Sequence, residues 1–129
     1  MSKYFGWDDF AGMVSDFTAY EEREAGVPPT AFVGWAPEHV LFASYGGRSY
    51  EGDAIVILER DNKLYEVRGS HCSCNGLEGQ WDPQEVTWKA LAMRPRSTED
   101  AWGDFLRNNE HRDEAVAAFW ALVDSRNTP

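Results

Sequence analysis

The feature that most constrains the fold is a near-continuous apolar run at Asp53–Glu59, which is suited to a central β-strand. The preceding stretch Val40–Tyr45 is rich in strand-forming residues, and Lys63–Arg68 alternates polar with apolar side chains. A turn is predicted at Arg60–Asn62, between the second and third stretches. Trp81–Thr87 reads as a short fourth strand or a turn. Together these stretches predict a small antiparallel sheet of three to four strands.

Helical patterns lie on both sides of this sheet in the sequence. From Asp8 to about Glu24 apolar residues recur at helical spacing, and Gly26 with the two prolines that follow predicts the end of this helix. Trp88–Met93 predicts one or two helical turns, and residues 97–100 resemble an N-cap followed by acids. A last helix is predicted at Arg112–Ser125, with these residues on one side: Ala115, Ala118, Phe119, Leu122 and Val123.

The length and composition predict one α+β domain over residues 1–129. At 129 residues, 43% hydrophobic and 14% aromatic, the chain is long enough to bury a core without staples. We expect the helices to cover one face of the sheet. No run of apolar residues is long enough to cross a membrane, and residues 1–9 lack the features of a secretory signal. These observations predict a cytoplasmic protein with no membrane partner.

The charge is strongly acidic, with 22 acidic and 12 basic residues and a formal net charge of −10. Direct binding of nucleic acid is not expected, because it requires clustered lysines and arginines. One interpretation of the acids is a solvated surface that confers solubility. The other is an acidic face that binds a basic partner. The acids predicted to form that face lie in the terminal helices: Asp8, Asp9, Asp16, Glu21, Glu22, Glu24, Asp113 and Glu114.

Chemically reactive residue types concentrate in the run Gly69–Trp81, which contains both cysteines, one histidine and three glycines. A disulfide between Cys72 and Cys74 would close a very short loop and is expected to be strained. Zinc favours four Cys and His ligands, and His71, Cys72 and Cys74 supply at most three. A fourth ligand would have to come from elsewhere, with His39 or Glu78 as candidates.

Two other interpretations of this run stay open. In the first, it is a tightly folded loop with small buried thiols, and His71 is hydrogen-bonded to backbone. In the second, a cysteine acts as a nucleophile or the two form a redox pair. The nucleophile needs a base in the right geometry, and the C-x-C spacing differs from the C-x-x-C of thiol oxidoreductases.

The chain contains six tryptophans, for which core packing is the default expectation. Tryptophan is also enriched at binding hot spots. Trp120 neighbours the predicted core residue Phe119 and is expected to project from the opposite side of its helix. A homodimer could be built on it.

Three motifs between Pro37 and Ala92 carry a resemblance to a known group of proteins. They are Tyr-Glu-Gly-Asp-Ala at residues 50–54, Lys-Leu-Tyr-Glu-Val at 63–67 and Ser-His-Cys-Ser-Cys-Asn-Gly-Leu-Glu-Gly-Gln-Trp at 70–81. In these the chain resembles small phage and prophage proteins of uncharacterised function. The resemblance implies a phage-derived context, in which small accessory proteins often bind and block a host protein and some acidic ones mimic the charge of DNA. It brings no reaction or catalytic residue.

The sequence therefore predicts a non-enzymatic accessory protein without a cofactor. Its expected partner is a host protein that has a basic surface, and the expected location is the host cytoplasm. The acids of the terminal helices and a few aromatic side chains, including Trp120, are expected to bind that surface. The alternative is a small zinc module organised around His71, Cys72 and Cys74.

Overall fold

The structure is a computed structural model that describes residues 3–18, 20–26, 30–48, 51–71, 76–94 and 112–127. Five strands and four α-helices lie in these ranges, together with two 3-10 turns at Thr30–Phe32 and Pro37–His39. The strands are β1 (Tyr4–Phe5), β2 (Val40–Arg48), β3 (Glu51–Arg60), β4 (Lys63–His71) and β5 (Gln84–Val86). The helices are α1 (Phe10–Phe17), α2 (Tyr20–Ala25), α3 (Trp88–Ala92) and α4 (Arg112–Asn127).

The strands form one five-stranded mixed sheet in the order β1-β2-β3-β4-β5. The α+β class is confirmed; the sheet has one strand more than the three to four predicted, and it is mixed where an antiparallel sheet was predicted. β1 runs parallel to β2, whereas the other neighbours are antiparallel. The parallel pair arises because the chain leaves β1, passes through α1 and α2 and returns beside it, as a crossover connection requires. β1 is only two residues long, too short for a recognisable strand pattern.

β3 lies at the centre of the sheet, as the apolar run predicts, and all five residues from Ala54 to Leu58 are fully buried. Ala54, Val56 and Leu58 point to one face, hereafter the first face, and Ile55 and Ile57 point to the second face. The predicted turn between β3 and β4 is confirmed. Asp61 and Asn62 both have positive φ, at 56° and 66°, the backbone of a tight two-residue hairpin.

Helices cover both faces of the sheet, so the prediction of cover on one face was wrong. On the first face α1 and two irregular segments bury an aromatic-rich cluster: Trp7, Met13, Phe17, Phe32, Leu77 and Trp81. On the second face α3 and α4 bury a more aliphatic one: Leu91, Ala115, Val116, Phe119, Trp120 and Val123. A strand that is covered on both sides has no polar face, which explains the unbroken apolar run of β3.

The N-terminal helix predicted over Asp8–Glu24 is divided in two. α1 ends at Thr18, which adopts an extended backbone and whose hydroxyl donates to Val14 O. The carbonyl of Phe17 accepts a hydrogen bond from Gly79 N at 3.2 Å, so a distant segment satisfies the end of the helix. α2 then follows as a separate helix.

The C-terminal helix matches its prediction closely. α4 begins at Arg112 and buries Ala115, Phe119 and Val123, with Ala118 and Leu122 partly buried. The predicted helix start at residues 97–100 lies outside the described residues. In the part of the chain that the structure describes, no helix is both long and apolar enough to span a membrane.

Candidate functional site

The predicted zinc ligands lie at the end of β4 and beyond it. His71 is the last residue of β4 and its backbone is paired with Gly52. Cys72 and Cys74 lie outside the described residues. Within the described ranges no three or more His, Cys, Asp and Glu residues are grouped so that they could hold a metal ion. The zinc module and the cysteine chemistry therefore stay predictions.

Gln80 anchors the segment that follows the cysteines. Its Oε1 accepts from Ser70 N at 2.8 Å, while Nε2 donates to Ser70 O at 2.7 Å and to Gly76 O at 2.8 Å. The side-chain amide thus pairs with β4 as a neighbouring strand would. One side chain therefore joins Ser70, which precedes the cysteines in the sequence, to Gly76, which follows them. Leu77 and Trp81 are buried on the first face.

The approach of this segment to β4 depends on Gly69. A Cβ at this position would lie 3.0 Å from Leu77 Cδ2 and 3.2 Å from Gln80 Oε1. Both distances are tighter than ordinary van der Waals contact. Packing and hydrogen bonding against the sheet thereby account for Leu77, Gln80 and Trp81 of the motif at residues 76–81.

Two of the predicted partner-binding acids have roles inside the fold. Asp9 is the N-cap of α1, and its Oδ1 accepts from Gly12 N at 2.9 Å. Asp16 Oδ2 accepts from Trp7 Nε1 at 2.7 Å and satisfies this buried indole. These carboxylates stabilise α1 and its contact with Trp7, and replacing them would disturb folding as well as any binding.

The other acids of the N-terminal set belong to α2 and to the residues before α1. Glu22 Oε2 accepts from Thr30 N at 2.9 Å and joins α2 to the 3-10 turn that follows. Asp8, Glu21 and Glu24 are exposed. These three are therefore the acids of the N-terminal set that are most available to a partner.

The remaining predicted residues are on the opposite side of the sheet. Asp113 and Glu114 are exposed in the first turn of α4, where negative charge favours the helix N-terminus. α4 packs on the second face, so these two acids are separated from those of α1 and α2. Trp120 is only 8% exposed and stacks edge-on against Phe119 at 5.0 Å. The expectation that it projects away from the core was wrong, because α4 packs against both the sheet and α3.

Charge is segregated between the first face and the rest of the chain. Stretches 8–18, 30–39 and 76–85 contain side chains that pack on the first face. Together with α2, which Glu22 joins to Thr30, they are hereafter the first-face layer. By sequence this layer holds ten acids and one arginine, a formal charge of −9. All other positions together hold twelve acids and eleven basic residues, a formal charge of −1. Glu38, Glu78, Asp82 and Glu85 belong to this layer and are exposed, and sequence reasoning missed them as members of one surface.

Acids of the first-face layer affect the pKa values of two tyrosines. Burial raises the pKa of Tyr45 above its ordinary value of 10.0, and the carboxylates of Asp16 and Glu78 raise it further. Burial, and then the charge of Asp9, likewise raises the pKa of Tyr4 above 10.0. Carboxylates of α1 and of the segment after the cysteines thus act on the same phenol. Acids that are far apart in the sequence therefore lie near the same side chain.

One aromatic residue of the first-face layer was not singled out from the sequence. Trp35 is half-buried, and the guanidinium carbon of Arg60 lies 3.8 Å from its ring centroid. Arg60 Nη1 also donates to Gly34 O at 3.0 Å. The available signal was the absence of charged residues from 30 to 37.

A cleft of about 300 Å³ opens beside the β3–β4 turn, next to α3. Its walls include Glu59, Lys63, Leu64 and Trp88. Arg126 from α4 lies 3.5 Å from the Glu59 carboxylate and 5.2 Å from the Trp88 ring centroid. A cationic side chain of the chain itself therefore engages the acidic and aromatic walls of this cleft.

Comparisons of the chain with protein-family models, with curated proteins and with solved structures gave no match. Interpretation of the site therefore depends on the geometry and charge described above.

Proposed function

We propose that this chain is a protein-binding module whose first-face layer engages a basic surface of another protein. The observation that carries the proposal is the segregation of charge, with −9 on the layer against −1 on all other positions. A surface that served only solubility would not need its acids concentrated in a few stretches that pack together. Concentrated charge raises association rates with an oppositely charged partner and orients the encounter.

The sign of the charge selects the class of partner. Nucleic acids and anionic lipid surfaces are both negative and would be repelled by the first-face layer. A second copy approaching through the same layer would bring acids against acids. A protein with clustered lysines and arginines is the complementary partner.

The resemblance to small phage proteins supports a host protein as this partner. In that context the chain is an inhibitor or modulator that covers a basic site, such as one that otherwise holds nucleic acid. The proposal needs no cofactor and no reaction.

The test uses a short peptide of alternating lysine and serine as a defined basic probe. The variant Glu21→Gln/Glu24→Gln removes two exposed carboxylates from the first-face layer. The control Asp113→Asn/Glu114→Gln removes two exposed carboxylates from the opposite side. We expect the first pair to weaken binding about fivefold and the control to change it less than about twofold, because close surface charge pairs contribute up to about 1 kcal/mol each.

Binding would be measured by isothermal titration calorimetry over a series of salt concentrations. Added salt should weaken the wild type and reduce the difference between the variants. Equal weakening by both pairs would contradict the proposal, because the acids would then act only through net charge.

A further inference from the structure

A tip whose own residues carry no charge is exposed within the acidic layer, and Arg60 of β3 is the cation that contacts it. Residues 30–37 contain no acid or base, and Thr30, Ala31, Val33, Gly34 and Pro37 are exposed there. Val33 is 77% exposed, although it is a large hydrophobic side chain. Exposed apolar groups that are contiguous and rimmed by polar residues are typical of interaction sites.

Backbone hydrogen bonds and a buried ring fix the exposed position of Val33. Val33 N and Trp35 N donate to Thr30 O at 3.3 Å and Phe32 O at 3.0 Å, which closes two successive turns. Gly34 has φ of 87°, a conformation that favours glycine. Phe32 is buried between these turns and stacks on Trp81 with ring centroids 4.2 Å apart.

Contacts with the sheet also hold the tip in place. Arg60 at the end of β3 bonds Gly34 O and covers the Trp35 ring. The Trp35 ring also meets Tyr65 edge-on, with centroids 5.3 Å apart. Ala36 N donates to His39 Nδ1 at 2.9 Å. A tip that is ordered before binding loses little conformational entropy when a partner arrives.

Acids surround this tip. Glu22 holds Thr30 N through its carboxylate, Glu21 and Glu24 are exposed on the preceding helix, and Glu38 is exposed directly after Pro37. An apolar centre with a charged rim is the usual anatomy of a protein interface, in which the centre contributes most of the binding free energy.

The other exposed large hydrophobic residue among the described ranges is Met93, at 76%. It follows α3 on the other side of the molecule, directly before the basic Arg94. Arg94 forms two hydrogen bonds of 2.7 Å with Glu66. Met93 has no comparable acidic rim among the described residues, so it provides a control.

We propose that Val33, supported by Trp35, is the anchor through which the acidic layer holds its partner, and that this partner is a protein with an apolar notch rimmed by lysines or arginines. The inference rests on the proposed function and specifies where affinity arises on that surface. The acids steer the partner and the tip enters the notch. Val33 supplies the apolar contact, and Trp35 with Arg60 keeps it in position.

Two peptide probes of equal length and charge test the anchor, one of alternating lysine and leucine and the other of alternating lysine and serine. Wild type should bind the leucine peptide about tenfold more tightly, a difference typical of one apolar anchor. Val33→Ser should abolish this preference and leave affinity for the serine peptide unchanged. Met93→Ser should retain the preference. Val33 is exposed, so its variant is expected to fold, and circular dichroism checks this.

The outcomes separate the two proposals. If neither peptide responds to Glu21→Gln/Glu24→Gln, the proposed function fails. If both respond but Val33→Ser keeps the leucine preference, only the anchor fails.

Two further measurements address other occupants of the tip. Sedimentation equilibrium would overturn the anchor in favour of self-association if a wild-type dimer became a monomer in Val33→Ser. Binding to phosphatidylcholine vesicles that is lost in Val33→Ser would overturn it in favour of a lipid surface.

Discussion

The two faces of the sheet are covered in different ways. The second face is covered by α3 and the 16-residue helix α4, which bury mainly aliphatic side chains, and by the ion pair of Glu66 with Arg94. The first face is covered by short segments with aromatic side chains. Individual polar side chains hold these segments in place: Asp9, Asp16, Glu22, Arg60 and Gln80.

This difference suggests a division of roles: the cover of the second face mainly stabilises the fold, and the cover of the first face carries the surface offered to a partner. A long helix that buries one whole side supplies stability through apolar area. Short segments contribute less area each, but their outer surface can be given any charge or shape. Short segments that individual side-chain hydrogen bonds join to the sheet can also open one at a time, at lower free energy than a continuous helix. We therefore expect the first-face layer to open before the second face does.

The largest expected effect is on the second face. Phe119→Ala removes a fully buried ring whose centroid lies 5.8 Å from that of Phe42. The free energy of unfolding should fall by about 3–5 kcal/mol, because a cavity remains where the ring packed. Urea denaturation followed by circular dichroism measures the change. Phe119→Leu, which preserves most of the volume, should cost less than about 1.5 kcal/mol.

Amide hydrogen exchange shows whether that loss is global. In Phe119→Ala the slow amides of β2, β3 and β4 should lose protection together. Loss that is confined to α4 would contradict the assignment of the second face as the main source of stability.

A smaller and local effect is expected on the first face. Gln80→Ala removes three hydrogen bonds to the backbone of Ser70 and Gly76 and should cost about 1–2 kcal/mol. Exchange should accelerate at residues 76–81 and at the end of α1, while α4 keeps its protection. Gln84→Ala, at an exposed position of β5, is the matched control and should change little. Equal loss of protection on both faces would show that the two covers unfold as one unit.

The smallest effect is a pH dependence of the first face. Since burial and nearby carboxylates raise the pKa of Tyr4 and Tyr45, the folded state holds these protons more tightly than the unfolded chain does. Their contribution to stability is complete below pH 10.0 and is lost as the pH rises above it. Tyr45→Phe should make this alkaline fall shallower. The absorbance of ionised tyrosine follows the titration, and denaturation curves at each pH give the free energy of unfolding. A fall of unchanged slope in Tyr45→Phe would contradict the raised pKa of Tyr45 as its cause.

Salt separates the two causes of these pKa shifts. Added salt screens the charges of Asp9, Asp16 and Glu78 but leaves burial unchanged. The alkaline fall should therefore become smaller at high salt without disappearing.

Patterns along single elements predicted much of the fold. β3 was recognised because its apolar run reflects burial on both sides, and α4 because its apolar residues recur on one side. The helix break at Thr18 was not predictable, because Phe17 O is satisfied by Gly79 from a distant segment. Trp120 was placed wrongly because a helical projection cannot show that α3 covers a second side of α4.

The candidate site was predictable only in part. The acids of residues 8–24 are a visible cluster in the sequence, but Glu78, Asp82 and Glu85 join them only through the fold. The apolar tip was visible as a stretch without charge. Its rigidity depends on Arg60, which belongs to β3, and no local pattern indicates that contact.

Both outer strands of the sheet are very short, two residues in β1 and three in β5. Beyond the pairing with β1, the Lys3 ammonium bonds the carbonyls of Val40 and Pro37 at 2.7 and 2.8 Å. Long bare edges invite strands of other molecules, and short edges with charged side chains discourage them. Glu85 stands in the middle of β5 and adds a charge at the opposite edge. At these two positions the sheet therefore offers little bare backbone to a strand of another molecule.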